Sequence, residues 1–252
     1  MNFFVQEDSV VRQIWGKADT ILFIFAGASA EFALNKAVDW LYYTGKIPSD
    51  PLGRLFSTVD YARMIVFSEE QQALEAIDRM NHIHGSIESS RGAKIPDWAY
   101  RDVLFMLIDY SIRAFEVLER PLTADEKQET FDVFYRVGAR MGIPGLPGNF
   151  DQWLLMRDEH LKQNLMKSHF TVDLYKQYRK HLGPVRFLLL LQAQSLVTPP
   201  VVRNYLSLNG RSLLRIILPV YKISRRFKMD HLIKKLILPP GYHQQINSLD
   251  RV

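Results

Sequence analysis

The sequence predicts an all-α protein built as a compact multi-helix domain. Apolar residues return at helical spacing through most of the chain, no stretch sustains the apolar–polar alternation of a strand, and the breaks carry turn-forming or capping residues. A chain of 252 residues can bury one large core. No low-complexity linker or fixed-period repeat divides it. The expected organisation is a helical core over residues 1–200, followed by basic, hydrophobic helices over residues 201–252 that pack on the core or on a membrane surface.

Ser9 opens a first short helix reaching Trp15. Residues 20–37 are apolar and rich in small side chains, interrupted by Glu31 and Lys36. The uncharged run is too short to span a bilayer, so a buried helix or pocket wall is expected, with a helix over residues 26–40. Residues 45–51 break the periodicity, and residues 53–67 resume it. Ser68, followed by Glu69 and Glu70, reads as an N-cap with first-turn acids, opening a helix through Ala73, Ile77 and Met80 with His84 near its end.

Pro96-Asp97 starts what reads as the longest helix, through Leu104, Ile108, Ile112, Phe115 and Leu118, ended by Pro121. Asp109 and Arg113 lie four apart on it and can pair across one turn or reach neighbouring helices. Thr123-Ala124-Asp125-Glu126 caps the next helix. The segment Gly142-Ile143-Pro144-Gly145-Leu146-Pro147-Gly148 is the strongest break. It lacks the lysine and hydroxyl of a phosphate-binding loop and should simply join helices. Helical order resumes over residues 150–168. Thr171 begins a further helix through Tyr175 and Tyr178, Pro184 starts an apolar one over residues 185–196, and Pro199 and Pro200 set off the basic C-terminal part.

With 47% hydrophobic and 12% aromatic residues the chain has the composition of a folded globule. The absence of cysteine excludes disulfides, thiolate heme ligation and cysteine-based zinc sites, and is compatible with a reduced cytosolic compartment. The N-terminal stretch carries Glu7 and Asp8 and does not read as a secretory leader, so a cytoplasmic location is expected. The formal charge of +5 is modest but concentrated: Arg203, Arg211, Arg215, Lys222, Arg225, Arg226, Lys228, Lys234 and Lys235 face a single acid, Asp230. Leu213, Leu214, Ile216, Ile217 and Leu218 lie beside Arg211 and Arg215; Leu232, Ile233, Leu236, Ile237 and Leu238 lie beside Lys234 and Lys235. Such helices suit core or oligomer packing, or peripheral contact with the inner face of an anionic membrane. No nucleic-acid recognition motif or stacked-aromatic pattern accompanies the charge, and nucleic acid is not expected as a partner.

The residues richest in chemistry lie between Asp50 and His84. Arg54 and Thr58 sit one helical turn apart, and the histidines His82 and His84, two apart, fall on different helical faces. Arg54 could hold an anionic group, or be satisfied by Asp50, Asp60 or Asp109. Thr58 could donate to a ligand or back-bond to its own helix. His84 could bind a metal or serve as a packed structural residue. Ile21, Phe23, Phe25, Phe105 and Ile108 could wall an apolar pocket or be ordinary core.

The stretches Asp50-Pro51-Leu52-Gly53-Arg54-Leu55-Phe56-Ser57-Thr58 and His84-Gly85-Ser86-Ile87 resemble the family of latex-clearing rubber oxygenases and the fungal oxygenase of mycophenolic-acid biosynthesis. The similarity continues through Ser111-Ile112-Arg113-Ala114-Phe115-Glu116, Pro121-Leu122-Thr123 and Met141-Gly142-Ile143-Pro144, and covers roughly residues 10–160. This resemblance implies an all-helical fold and a heme b cofactor, with His84 as proximal iron ligand and Arg54 and Thr58 as polar neighbours of the heme. It implies a heme-dependent oxygenase that uses dioxygen on a small apolar or lipid-like substrate, with oxidative C=C cleavage as the reaction and polyisoprene itself not expected. A heme-dependent hydroxylase or peroxidase-like enzyme, a heme-free helical lipid-binding or interaction protein, and a homo-oligomer are the alternatives to weigh. The chain departs from the family pattern where relatives carry glutamine and His-Pro, here Asn35 and Val38-Asp39, and where a second histidine is replaced by Phe105.

Overall fold

In the computed structural model the described residues are 2–43, 45, 50–208, 210 and 212–226, with the backbone alone described at 51, 52, 54–56 and 223–226. The second amphipathic C-terminal segment, from Leu232 to Leu238, and Arg211 lie outside them. The described fold is all-α. Its only extended pairings are the isolated bridges Phe3 to Glu69 and Asn35 to Leu165.

The helices are α1 (Val10–Trp15), α2 (Ala18–Phe32), α3 (Asp39–Tyr43), α4 (Pro51–Phe67), α5 (Glu70–Arg91), α6 (Asp97–Leu118), α7 (Ala124–Arg140), α8 (Phe150–Gln163), α9 (His169–Val197), α10 (Pro200–Leu206) and α11 (Leu214–Arg226). The seam between α2 and α6 is the most extensive of the bundle. It closes tightly because Gly27 has no side chain: a Cβ there would overlap the ring of Tyr110, which is fully buried against α2. Trp15 sits in the core with its indole Nε1 donating to Ser111 Oγ at 3.2 Å and Phe25 edge-on at 6.2 Å. Burying such a large ring contributes about 2–3 kcal/mol.

Several ends differ from the sequence expectation, each for a local reason. The expected helix over residues 26–40 is instead Ala18–Phe32. Beyond it Asn35 Oδ1 accepts from Ala37 N at 2.8 Å, an Asx turn that diverts the backbone, while Lys36 N donates to Asn164 O. Ser68 ends α4 and does not cap α5, since its N–H donates to Met64 O and Glu69 holds the N-cap position. His84 lies in the body of α5, which continues to Arg91 and stops at Gly92 in the left-handed region, φ 68°. The helix before Pro121, α6, has 22 residues and is matched in length by α5, while α9 is two shorter helices meeting at the non-helical Gly183 (φ 73°, ψ 171°), where Pro184 starts the second as the sequence predicts. The helix expected over residues 150–168 stops at Gln163, and Leu165 then bridges to Asn35.

The capping sequences behave as their chemistry dictates. Asp50 Oδ1 accepts from Gly53 N at 2.8 Å at the start of α4, with Pro51 in the first turn, and a Cβ on Gly53 would run into that carboxylate. Thr123 and Glu126 form a reciprocal capping box.

Candidate active site

A cavity of about 660 Å³ opens between α2, α4, α5, α6, α9 and α11, within the size range of small-molecule sites. The helical period explains how α5 reaches it. Met80, Ile83, His84 and Ile87 recur at spacings of three and four, so one stripe of the helix faces the cavity. His82 lies off that stripe, exposed to solvent. The histidines therefore part onto different faces, as their spacing predicts.

His84 is half-buried in the wall, and the ring of Tyr100 from α6 stands perpendicular to it at 5.4 Å. Tyr100 is itself held, because its hydroxyl donates to Glu88 Oε1 at 3.1 Å, and the same oxygen accepts Ile95 N at 2.9 Å. Burial, reinforced by Glu88, raises the Tyr100 pKa, keeping it a protonated donor.

Thr58 and Ser57 on α4 line the same cavity, so two of the three sequence-predicted site residues, Thr58 and His84, converge. Arg54 lies one turn before Thr58 on α4, and its side chain falls outside the described residues. Of the carboxylates that could satisfy it, Asp109 is instead taken by Arg113 and Arg157. Among the expected apolar wall residues, Phe23 and Phe25 do line the cavity. Ile21, Phe105 and Ile108 are core residues, at most 1% exposed, and do not line it.

The positions where the family pattern is broken are well packed. Asn35 Nδ2 donates to Asp102 Oδ2 at 2.8 Å, and Asp102 also accepts from Asn164 and faces His160 Nδ1. Phe105 stacks on His160 at 5.1 Å, and Val38 is buried with Ala33 and Leu174.

Other cavity residues carry no signal in the sequence because distant elements bring them there. Asp19 on α2 accepts from Tyr221 of α11 at 3.0 Å, tying α11 across the cavity. Leu214, Leu218 and Tyr221 then line the cavity half-buried, Ile217 and Val220 line it while largely exposed, and Leu213 and Ile216 are exposed away from it. On α9, Tyr178 and Arg186 flank the Gly183 kink and line the opposite wall. Burial pushes the Tyr178 pKa upward.

Beside the cavity, α2, α6 and α8 are locked by a buried ionic cluster. Arg157 donates to both Glu31 oxygens at 2.5 and 2.6 Å and to Asp109 Oδ2 at 3.0 Å, Arg113 donates to Asp109 Oδ1 at 2.6 Å, and Tyr110 donates to Glu31 at 2.7 Å. Burial works against the charge of Arg157, but Glu31 and Asp109 outweigh it and hold the guanidinium firmly cationic. The charge on Glu31 that interrupts an apolar helix in sequence is the anchor of this cluster.

A search of curated proteins finds no match. The family model described as ER-bound oxygenase mpaB/B'/Rubber oxygenase, catalytic domain, matches residues 14–218. That span takes in α2, α4, α5, α6 and α9 and ends within α11, before Tyr221, and the chain belongs to this oxygenase family.

Proposed function

We propose that the protein is a heme b-dependent oxygenase acting on a small apolar or lipid-like molecule, with oxidative C=C cleavage as its reaction. Family membership supplies the oxygenase class. The observation that carries the finer reading is His84, a single imidazole set in an apolar wall of a 660 Å³ cavity, with the Thr58 hydroxyl on the same cavity. A bare metal ion would need several converging donors, and among the described residues no group of three or more His, Asp or Glu side chains offers them. A heme would ask the protein for a single imidazole and an apolar slot, which His84 and the walls of this cavity could supply.

In this reading His84 holds the iron. When bound, the group supplies the redox chemistry that engages dioxygen. Tyr100, pinned by Glu88, fixes the plane of the His84 ring. Thr58 would offer its hydroxyl to the bound group, with Arg54 one turn before it on the same helix. The side chains of Phe23, Phe25 and Met80 exclude water and hold the apolar substrate by shape. Residues 1–200 would form the oxygenase core, with α10 and α11 packed on it.

The same reading places the protein on a membrane surface, from which a lipid-like substrate would be drawn. Leu213, just before α11, and Ile216 on it are 61% and 75% exposed beside Arg215, apolar side chains with a basic neighbour. No helix among the described residues is long and apolar enough to cross a bilayer.

The absorption spectrum of freshly purified protein tests the proposal. A Soret band that shifts or disappears in His84→Ala is the expected result. Protein that carries no heme and fails to take up added hemin would overturn it and leave a heme-free lipid-binding protein.

A further inference from the structure

Arg186 sits where a cation is hard to explain by packing. It follows the Gly183 kink of α9 and lines the cavity, whose wall is otherwise built mainly from aliphatic and aromatic side chains. Its Nε is buried and has no hydrogen-bond partner among the described residues. Among the described residues no ion pair satisfies the guanidinium either. Asp19, the carboxylate on the same cavity, is occupied by the Tyr221 hydroxyl and the Thr20 amide. A buried, unpartnered Nε–H loses hydration without compensation unless a ligand supplies the acceptor. Its planar fork matches a carboxylate through two parallel hydrogen bonds.

We infer that Arg186 is the anchor for a carboxylate carried on an otherwise apolar molecule in this cavity. The cavity then has the logic of an amphiphile site, with a long apolar wall fixing the body by shape and one cation fixing the end. Tyr178, one helical segment before the kink, adds a protonated phenol to the same wall. A free fatty or isoprenoid acid is one source of that carboxylate and a heme propionate is the other. The inference deepens the site of the proposed oxygenase, yet the anchor does not require that heme be bound.

The experiment uses the full-length protein in two arms. In the first, heme-free protein is titrated with oleate and with oleyl alcohol below their aggregation limits, followed by the fluorescence of its tryptophans, of which Trp40 lines the cavity. The expected result is about tenfold or more tighter binding of oleate, a preference lost in Arg186→Gln and largely retained in Arg186→Lys. In the second arm hemin is titrated into the same three proteins. A substrate anchor leaves hemin affinity unchanged in Arg186→Gln, whereas a propionate anchor weakens it about tenfold and shows no oleate preference in the first arm. Circular dichroism melts establish that each variant is folded. If folded Arg186→Gln matches the wild type in both arms, the inference is wrong even where His84 binds heme. If oleate selectivity depends on Arg186 but hemin never binds, the anchor stands and the heme reading fails.

Discussion

Tyr100 stands edge-on to His84 at 5.4 Å while its hydroxyl donates to Glu88, one turn further along the helix that carries the histidine. The ring is thus clamped between α5 and α6 without donating a hydrogen bond to the imidazole. Orientation of a ligand ring by its neighbours is a recurrent determinant of metal affinity. Tyr100→Leu is expected to weaken hemin binding several-fold and broaden the Soret band. Tyr100→Phe, which keeps the ring and loses only the tether to Glu88, should fall between. Equal hemin affinity in all three proteins would remove Tyr100 from the positioning role.

The Glu31–Arg157–Asp109 cluster joins three helices beside the cavity, with Arg157 only 5% exposed. Replacing Arg157 by Met keeps much of the volume but leaves buried Glu31 without its cation and Asp109 with Arg113 alone. The expected cost is about 3–5 kcal/mol of unfolding free energy, read from urea denaturation. Arg113→Met, which removes a half-exposed partner of Asp109, should cost well under half as much.

Glu126 titrates unusually low. The hydrogen bonds from Arg120 and then from the Thr123 amide depress its pKa from 4.5 to about 2. A depressed carboxylate stabilises the fold fully above its unfolded value, and that contribution drains away as the pH falls from about 4.5 toward 2. The difference in melting temperature between wild type and Glu126→Gln should therefore be largest above pH 5 and shrink through this window. A pH-independent difference would assign the effect to packing instead.

The helical class, most helix starts and the separate faces of His82 and His84 are legible in the sequence because they depend on spacing within one turn or two. Thr123 and Glu126 announce their box in the same way. Helix ends set by distant partners are not legible. α2 stops at Phe32 because Asn35 turns the chain and pairs with Leu165, 130 residues away in sequence. The resemblance singles out His84 and Thr58 and is silent on Arg186 and Tyr221, which the α9 kink and the return of α11 bring onto the cavity. Phe105 reads as a pocket wall by composition, yet the helix turns it toward His160 and Trp153.

Gly27 offers a direct test of how the bundle closes. A Cβ at this position would occupy the space of the Tyr110 ring, whose hydroxyl is committed to Glu31 and whose pKa is pushed well above its usual value by burial and then by that charge. The ring cannot retreat without breaking the hydrogen bond, so Gly27→Ala must separate α2 from α6. The expected destabilisation is about 1–3 kcal/mol despite the higher helix propensity of alanine. Gly85 lies on α5 with open space around its Cβ direction, so Gly85→Ala should instead stabilise by about 0.5–1 kcal/mol. Opposite signs at two mid-helix glycines, measured in one denaturation series, are what close packing at the α2–α6 seam requires. Stabilisation at both would mean that α2 and α6 can part without cost.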